Sequence, residues 1–218
     1  MLASVQCGNR AIERVLMSFT FSQIRNRLEQ HSREEVGPNT QRVWASVALI
    51  IREADGDRGL ELMFIRRAKR KGDPWSGHMA FPGGREEPKD PSLLSTSMRE
   101  TLEEVGVDLH QHGVHLGTLD DQMSPLREAQ NALIIRPHVF QLKAGSDWVC
   151  EPNEEVSQVF WFTLTELWDP LYRGWMPYEW KGQSIRLPIV RIGEADIWGL
   201  SLRMLDNFSE ILDSGAAC

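Results

Sequence analysis

Cysteine is scarce in this chain of 218 residues. Its three copies, Cys7, Cys150 and Cys218, lie far apart and lack the Cys-x-x-Cys spacing of typical zinc and redox sites. Small secreted domains that depend on disulfides usually have an even and larger number of cysteines. The sequence therefore predicts neither a disulfide framework nor a zinc site, and it favours a reducing compartment, which we expect to be the cytoplasm.

Long apolar runs are also missing from the chain. No stretch is long enough to span a bilayer, so we expect no membrane partner. The first 21 residues place Arg10, Glu13 and Arg14 among short apolar patches, which is unlike a secretory signal, and Met17 is an alternative start.

Basic residues are outnumbered by acidic ones, since 24 Lys and Arg stand against 31 Asp and Glu, for a formal net charge of −7. A protein that coats duplex nucleic acid needs a basic surface to neutralise the phosphates, so we expect no nucleic-acid partner. A small polyanion is still compatible with this charge, because a local basic cluster or a metal can reverse the sign. The charge balance therefore leaves a small polyanionic molecule as a possible substrate.

Hydrophobic periodicity predicts one α/β domain, residues 41–218, preceded by an extension, residues 1–40. The extension contains a short amphipathic helix within residues 21–35, with Ile24 and Leu28 one turn apart. A hairpin opens the domain, with a turn at residues 55–59. Strands are predicted at residues 43–51, 60–67, 132–142, 156–164 and 184–190, a short helix at 165–170, and a closing helix at 196–212.

A further helix is predicted between Asp90-Pro91 and Gly106. Asp caps helix starts, Pro is tolerated at the first helical position, and Gly is a frequent stop, so we expect Asp90 to act as the helix cap. An apolar stripe is expected to face the core, formed by Leu94, Met98, Leu102 and Val105.

Three glutamates, Glu100, Glu103 and Glu104, fall on the opposite side of this helix on a helical wheel. Like charges one turn apart repel unless a counterion is present. Mg²⁺ is commonly held by one or two carboxylates together with substrate phosphates, and the turn at Gly83-Gly84 lets backbone carbonyls approach. A solvated acidic face is the general alternative for such a pattern. The preceding glycines favour a metal site.

These residues resemble the signature of the Nudix hydrolases. Gly84 is followed after five residues by Asp90, where that family usually has Glu, and the core "RE..EE.G" spans residues 99–106. Thr101 stands where the family prefers an apolar residue. The resemblance implies a Nudix-type α/β/α sandwich with a mixed sheet and a cofactor, Mg²⁺ or Mn²⁺. The metal ligands that it implies are Glu100, Glu103, Glu104 and the carbonyl of Gly84.

The Asp, together with eight rather than seven residues before Arg99, is similar to the coenzyme A pyrophosphatase branch. "FPGGR" and residues 153–167 and 197–205 also resemble that branch. The resemblance implies hydrolysis of coenzyme A or acyl-CoA to 4'-phosphopantetheine and 3',5'-ADP. However, Gly72 stands where the coenzyme A motif of the branch has Arg, and Gly77 comes one place late.

Two alternatives therefore stay open. One keeps the chemistry and changes the substrate to ADP-ribose, a nucleotide sugar or a dinucleotide. The other is a Nudix-fold protein that binds a nucleotide without hydrolysing it, although the complete set of glutamates argues against it. The fold also allows a homodimer.

The remaining site residues are predicted with less specific signals. Glu103 is a candidate general base, and Glu154 and Glu155 rank below it because loop acids are usually just exposed. Arg99, counted among the catalytic residues, is expected to fix the loop by pairing with an acid rather than to touch substrate. Contacts with the substrate are expected from Arg66, Arg67, Arg70, Phe81 and Gly83, and Trp75, Phe81 or Trp161 could stack on an adenine.

Overall fold

The computed structural model describes residues 19–37, 42–56, 58–72, 75–124, 133–145, 148–180 and 182–214. Its helices are α1 (Phe21–Gln30), α2 (Leu93–Val105), α3 (Leu109–His112), α4 (Leu164–Trp168) and α5 (Gly199–Asp213). Among the described residues, no helix combines the length and apolarity needed to cross a bilayer.

Two sheets organise the chain. The strands are β1 (Val43–Glu53), β2 (Leu60–Arg67), β3 (Met79–Ala80), β4 (Gly83–Arg85), β5 (Gly113–Thr118), β6 (Gln122–Met123), β7 (Leu133–Leu142), β8 (Val156–Thr163), β9 (Arg173–Trp180), β10 (Gln183–Ile192) and β11 (Ala195–Trp198). The large sheet has the order β3-β2-β1-β7-β5, and β4, β6 and β8 pair with its members. Because β1 pairs parallel with β7 and antiparallel with β2 and β4, this sheet is mixed. The small sheet has the order β11-β10-β9.

Hydrophobic clusters fill both faces of the large sheet. One face packs against α1, α4 and α5, and the other against α2 and α3. The chain is therefore an α/β/α sandwich with a mixed sheet, as the sequence predicted. The helix of the extension, α1, buries Ile24 and Leu28, and Gly117 lets the Leu28 side chain lie against β5. The domain boundary at residue 41 stays a prediction.

The opening hairpin is confirmed, but the predicted closing helix is wrong at its start. Residues 195–198 form β11, in which Ala195 and Ile197 are buried and Asp196 is exposed. This alternation has the period of a strand, and Ala195 pairs with Ile192 of β10. The helix begins only at Gly199, whose φ of 63° allows the change of direction.

The predicted apolar stripe of α2 is confirmed in part, because Val105 is buried and Leu94 and Met98 pack against the core cluster that contains it. Leu102 is 48% exposed, while the buried residues are Thr96, Ser97, Thr101, Glu104 and Val105. Small side chains on this face let α2 approach β1 and β4 closely, and Thr101 satisfies its hydroxyl by donating to the Ser97 carbonyl at 2.7 Å. The wheel therefore placed Glu104 on the wrong side of the helix.

The ends of α2 differ in how well they were predicted. Gly106 ends the helix with a φ of 74°, and its N–H donates to the Leu102 carbonyl, so this stop is confirmed. The cap at the other end is Ser92, whose hydroxyl accepts from the Ser95 N–H at 3.2 Å. Asp90 is therefore not the cap, and its carboxylate is free to accept from other groups.

His138 on β7 is a buried neutral histidine. Its Nδ1 lies 3.1 Å from Thr118 Oγ1 and 3.2 Å from His115 Nε2. Burial, followed by the nearby His115, lowers the pKa of His138 to about 3. The unfolded chain, with a histidine pKa of about 6.5, therefore binds more protons below that pH than the folded chain does.

We therefore expect the unfolding free energy of the wild type to fall by about 1 kcal/mol per pH unit between about pH 6 and 4 from this group. In His138→Gln that contribution should disappear, whereas substitution of the exposed His110 by Gln should leave it in place. Urea unfolding across this range measures the slopes. Parallel slopes for the wild type and His138→Gln would contradict the account.

Candidate active site

Arg99 organises the start of the site from the middle of α2. Its Nε and Nη2 donate to the two carboxylate oxygens of Asp90 at 2.9 Å each, and Nη2 also donates to the Arg85 carbonyl at 3.1 Å. The structure thus shows the expected pairing with an acid. This bidentate contact holds the pKa of Asp90 well below its usual range.

The same guanidinium is a counterion for two of the glutamates. Arg99 Nη1 lies 3.0 Å from Glu100 Oε1 and 2.9 Å from Glu103 Oε2. Part of the repulsion expected along the helix is therefore offset by an internal cation. Glu103 is half-exposed, whereas Glu100 is mostly covered.

Glu104 is the buried member of the set. Only 3% of the residue is exposed, and its Oε2 accepts from the Gly83 N–H at 2.8 Å. Burial raises the pKa of Glu104 to about 7, and the negative charges of Glu100 and Glu155 add to this rise. Burial also raises the pKa of Glu100, with contributions from Glu103 and Glu155. For each of these two carboxylates the effect of burial on the pKa outweighs that of the nearby arginine, which is Arg99 for Glu100 and Arg67 for Glu104.

The glycine pair brings backbone against the glutamates. Gly83 and Gly84 lie on β4, which pairs with β1 and contacts α2. A Cβ on Gly84 would fall well inside contact distance of the Glu100 carboxylate, and a Cβ on Gly83 would collide with the Ser46 carbonyl of β1. Neither position has room for a side chain, so the glycines set the distance between β4 and the carboxylates.

We expect Gly84→Ala to lower kcat by about 100-fold, because displacing a catalytic group by about 1 Å can cost that much. Gly174→Ala on β9 is the matched control, since its Cβ would meet only Ile189 Cγ2 at the ordinary distance of 3.9 Å. Thermal unfolding of both variants separates a local displacement from loss of the fold. Wild-type turnover by folded Gly84→Ala would show that the close approach is not needed.

The loop before β8 brings a further acid to the cluster. The Asn153 N–H donates to the Glu104 carbonyl at 2.9 Å, which ties the loop to the end of α2. Glu155 is partly covered and accepts from Arg70 Nη1 at 2.9 Å, whereas the side chain of Glu154 is 90% exposed. Only Glu155 influences the buried glutamates electrostatically, so the structure separates two loop acids that the sequence could not rank.

The basic residues that were predicted to contact substrate have different surroundings. Arg66 contacts Glu194 and Gln158 and lies over the Phe160 ring, so it holds the turn between β10 and β11. Arg67 lines a cavity beside the glycines, and its charge lowers the pKa of Glu104. Arg70 binds the acidic loop, as described above. Their predicted contacts with substrate stay predictions.

The candidate stacking aromatics do not lie together. Phe81 is 2% exposed and packs on Phe64 with ring centroids 4.4 Å apart, although it also lines the cavity, as Trp75 does. Trp161 lies under the Arg52 guanidinium, 4.0 Å from the ring centroid, and is not among the cavity-lining residues of the described chain. Phe81 and Trp75 therefore line the cavity, Trp161 lies elsewhere, and the stacking of any of them on an adenine stays a prediction.

A cavity of about 780 Å³ opens beside the glycine strand. Its floor comes from β1, β3, β4 and β7, and its opposite wall comes from the small sheet and α5. Sequence reasoning missed the wall residues Tyr178, Trp180, Ile185, Leu187 and Trp198. The alternation of half-buried and exposed residues along β9 was the signal that could have found part of this wall.

The donors fit a hard divalent cation in their chemistry. Carboxylate and carbonyl oxygens are the ligands that Mg²⁺ and Mn²⁺ prefer, and burial raises the pKa of Glu100 and Glu104 despite the nearby arginines, so a cation would favour their charged form. Within the described ranges, no group of three or more His, Cys, Asp or Glu side chains is already arranged to hold a metal ion. The predicted metal ligands therefore stay predictions that the donor chemistry supports.

The fold and the site together are those of a hydrolase of the Nudix type. The family model described as NUDIX domain matches residues 42–179, more than half of the chain, and the chain belongs to this family. The predicted class, a pyrophosphohydrolase enzyme, is confirmed at that level. Enzymes of this family act on small-molecule substrates and generally use divalent metal ions.

Three relatives show how far the similarity extends. The chain is 30% identical over 62% of its length to the uncharacterized Nudix hydrolase NudL of Photorhabdus laumondii, covering 68% of that protein. It is 28% identical over 71% of its length to a mitochondrial coenzyme A diphosphatase of Mus musculus, covering 71% of that protein. An uncharacterized protein of Schizosaccharomyces pombe is 35% identical over 49% of the chain, which spans only 32% of that relative. Because the mouse relative is mitochondrial by name, the cytoplasmic location of this chain stays a prediction.

Proposed function

We propose that this enzyme hydrolyses the phosphoanhydride of coenzyme A or an acyl-CoA. One water is consumed, the P–O–P bond breaks, and the products are 4'-phosphopantetheine, acylated where the substrate was, and 3',5'-ADP. The observation that carries this proposal is the buried carboxylate pair Glu100 and Glu104, which faces the glycine strand beside the cavity. A protein that only binds a nucleotide has no need of a complete set of metal-binding carboxylates.

The metal would be held by Glu100, Glu103, Glu104 and the carbonyl of Gly84. When bound, Mg²⁺ or Mn²⁺ neutralises charge that develops on the phosphoryl oxygens and acidifies the attacking water. The chain supplies the geometry: Gly83 orients Glu104 through its N–H, and Arg99 orients Glu100 and Glu103 while it fixes the β4 loop. These contacts keep the acids in place before substrate arrives.

The general base has two candidates. Glu103 lies beside the other glutamates and is half-exposed, so a water can reach it. Glu155 lies close enough to raise the pKa of Glu100 and Glu104, and Arg70 holds it in place. If Glu155 is the base, Glu155→Gln should lower kcat by about 100-fold. Glu154→Gln, which changes the exposed neighbouring residue, should not. If Glu155→Gln keeps wild-type kcat while Glu103→Gln loses it, the role falls to Glu103.

Coenzyme A is favoured over other nucleotide substrates by two observations. The mouse relative is named as a coenzyme A diphosphatase, and the signature has the Asp and spacing similar to that branch. Arg67 beside the glycine strand could bind a phosphate bidentately. The Gly at position 72, where the branch has Arg, is the reason to test ADP-ribose as well.

The test is product analysis by mass spectrometry after incubation with Mg²⁺ and, in separate reactions, coenzyme A, ADP-ribose and NADH. We expect 4'-phosphopantetheine and 3',5'-ADP from coenzyme A, with no products when a chelator is present. Cleavage of ADP-ribose or NADH with coenzyme A left intact would keep the hydrolase and overturn the substrate. Intact substrates in every reaction would favour the binding protein.

A further inference from the structure

The cavity beside the glycine strand has a wall that the family match mostly does not cover. Residues 42–179 match the family, whereas Trp180, Ile185, Leu187 and Trp198 of the wall lie beyond them. We propose that this wall is a specificity-determining subsite for an aliphatic tail on the substrate, such as the acyl group of a thioester. The proposal rests on the function above, since it assigns the part of the substrate that lies away from the phosphates.

The small sheet presents one apolar face to the cavity. Along β9, Tyr178 and Trp180 are half-buried and line the cavity, while Trp175 on the same strand points outward and is 62% exposed. Ile185 lies opposite Tyr178 in the register of β9 and β10 and also lines the cavity, whereas its neighbour Arg186 is exposed. The period of two therefore separates a cavity face from a solvent face.

Three polar side chains that α5 contributes to the cavity already have partners within the protein. Ser201 donates its hydroxyl to the Met79 carbonyl at 2.8 Å, and Arg203 donates to the Met123 carbonyl at 3.1 Å. Asp206 pairs with Arg173 at 2.7 Å. A nucleobase buried here would have to satisfy the polar atoms on its edge, and burying them without partners is costly. An aliphatic chain has no such requirement.

The positions of the basic side chains indicate how a ligand would be oriented in the cavity. Arg67 and Arg85 line the cavity at the end that contains Gly83 and Gly84, next to the glutamates. A phosphate would lie at that end, and the tail would extend toward Ile185 and Leu187 on β10. Drug-sized ligands are usually held in cavities of about 300–1,000 Å³, and this cavity falls within that range.

Hydrogen bonds also fix the wall to the large sheet. Arg66 Nη2 of β2 donates to the Glu194 carbonyl at 2.8 Å, in the turn that joins β10 to β11. The Ser201 hydroxyl at the start of α5 bonds to β3 through Met79. The subsite therefore has a set distance from the glycine strand, which allows it to select tails by length and bulk.

The first experiment compares kcat/KM for coenzyme A, acetyl-CoA, hexanoyl-CoA and dodecanoyl-CoA. In the wild type we expect kcat/KM to increase with tail length, by up to about fourfold for each buried methylene. Ile185→Trp fills the cavity and should lower the ratio of kcat/KM for dodecanoyl-CoA to that for coenzyme A by about tenfold, mainly through KM. Arg186→Trp adds the same bulk to the solvent face and should keep the wild-type ratio. The subsite would be wrong if the kcat/KM of the wild type did not change with tail length. It would also be wrong if Ile185→Trp and Arg186→Trp changed the ratio of kcat/KM values equally.

A binding measurement separates this inference from the proposed function. Calorimetric titration with dodecyl phosphate in the presence of EDTA needs no turnover. We expect binding by the wild type and by Arg186→Trp, and an affinity about tenfold weaker for Ile185→Trp. If dodecyl phosphate binds in this way while coenzyme A is not cleaved, the proposed function fails and the subsite stands. If the wild type does not bind dodecyl phosphate, the subsite is wrong whatever the enzyme hydrolyses.

Discussion

Substitution of Glu104 by Gln is expected to lower kcat for coenzyme A by about 100-fold to 1,000-fold, with the fold retained. Gln can still accept the Gly83 N–H bond at the same position. It removes the negative charge of the most buried of the three α2 glutamates, and charge stabilisation by a bound cation is worth several kcal/mol, or about tenfold in rate for each 1.4 kcal/mol. Steady-state kinetics at saturating Mg²⁺ measure the loss.

The matched control for this variant is Glu210→Gln, an exposed glutamate of α5. It removes the same charge from a helix far along the chain and should keep wild-type kcat. If a higher Mg²⁺ concentration restored the kcat of Glu104→Gln, the substitution would have weakened metal binding. If Glu104→Gln turned over coenzyme A at the wild-type rate, Glu104 could not be part of the metal set.

The second large effect concerns stability. Arg99→Met is expected to lower the unfolding free energy by about 3–5 kcal/mol, because it leaves a buried carboxylate without its partner. The Asp90 side chain is 4% exposed and the Arg99 side chain 14% exposed, so the solvent screens this pair little. Arg186→Met, at an exposed arginine of β10, should change stability by less than about 0.5 kcal/mol.

Two further measurements isolate the pair. Asp90→Asn should reduce the cost of Arg99→Met in a double-mutant cycle, because the amide removes the unpaired charge. The pKa of Asp90 is depressed in the folded wild type, so its stabilising contribution is present above about pH 4 and is lost as the pH falls below that value. The difference between the wild type and Arg99→Met should therefore narrow in acid. A constant difference would mean that Arg99 acts through packing alone.

The signature of α2 could be predicted from sequence because its spacing is short and local. Gly106 as a stop and Arg99 as the partner of an acid both depend on residues less than three turns apart. The face of the helix could not be predicted in the same way. The buried side of α2 is the side that packs against Gly83 and Gly84 of β4. Glu104 lies on this side because its carboxylate accepts a hydrogen bond from the Gly83 N–H, whereas a prediction from hydrophobicity alone places a glutamate in solvent.

Of the small sheet, β10 was predicted at residues 184–190, whereas β9 and β11 were missed. Residues 173–180 contain Pro177 and alternate between half-buried and exposed positions, which is a weak strand signal. Their burial depends on β10 and on the cavity, whose floor comes from β1, β3, β4 and β7, all of them earlier in the chain. Contacts between strands distant in sequence leave little local pattern, so most of the cavity wall could not be predicted from the sequence.

The most direct test of the account is hydrolysis of coenzyme A in water labelled with ¹⁸O, followed by mass spectrometry of both products. The account predicts one labelled oxygen per turnover in a single product, either 4'-phosphopantetheine or 3',5'-ADP. It also predicts that labelled product is almost absent with Glu104→Gln and present at the wild-type level with Glu210→Gln. Unlabelled products would contradict hydrolysis. Labelled product formed by Glu104→Gln at the wild-type rate would contradict hydrolysis at the glutamates of α2.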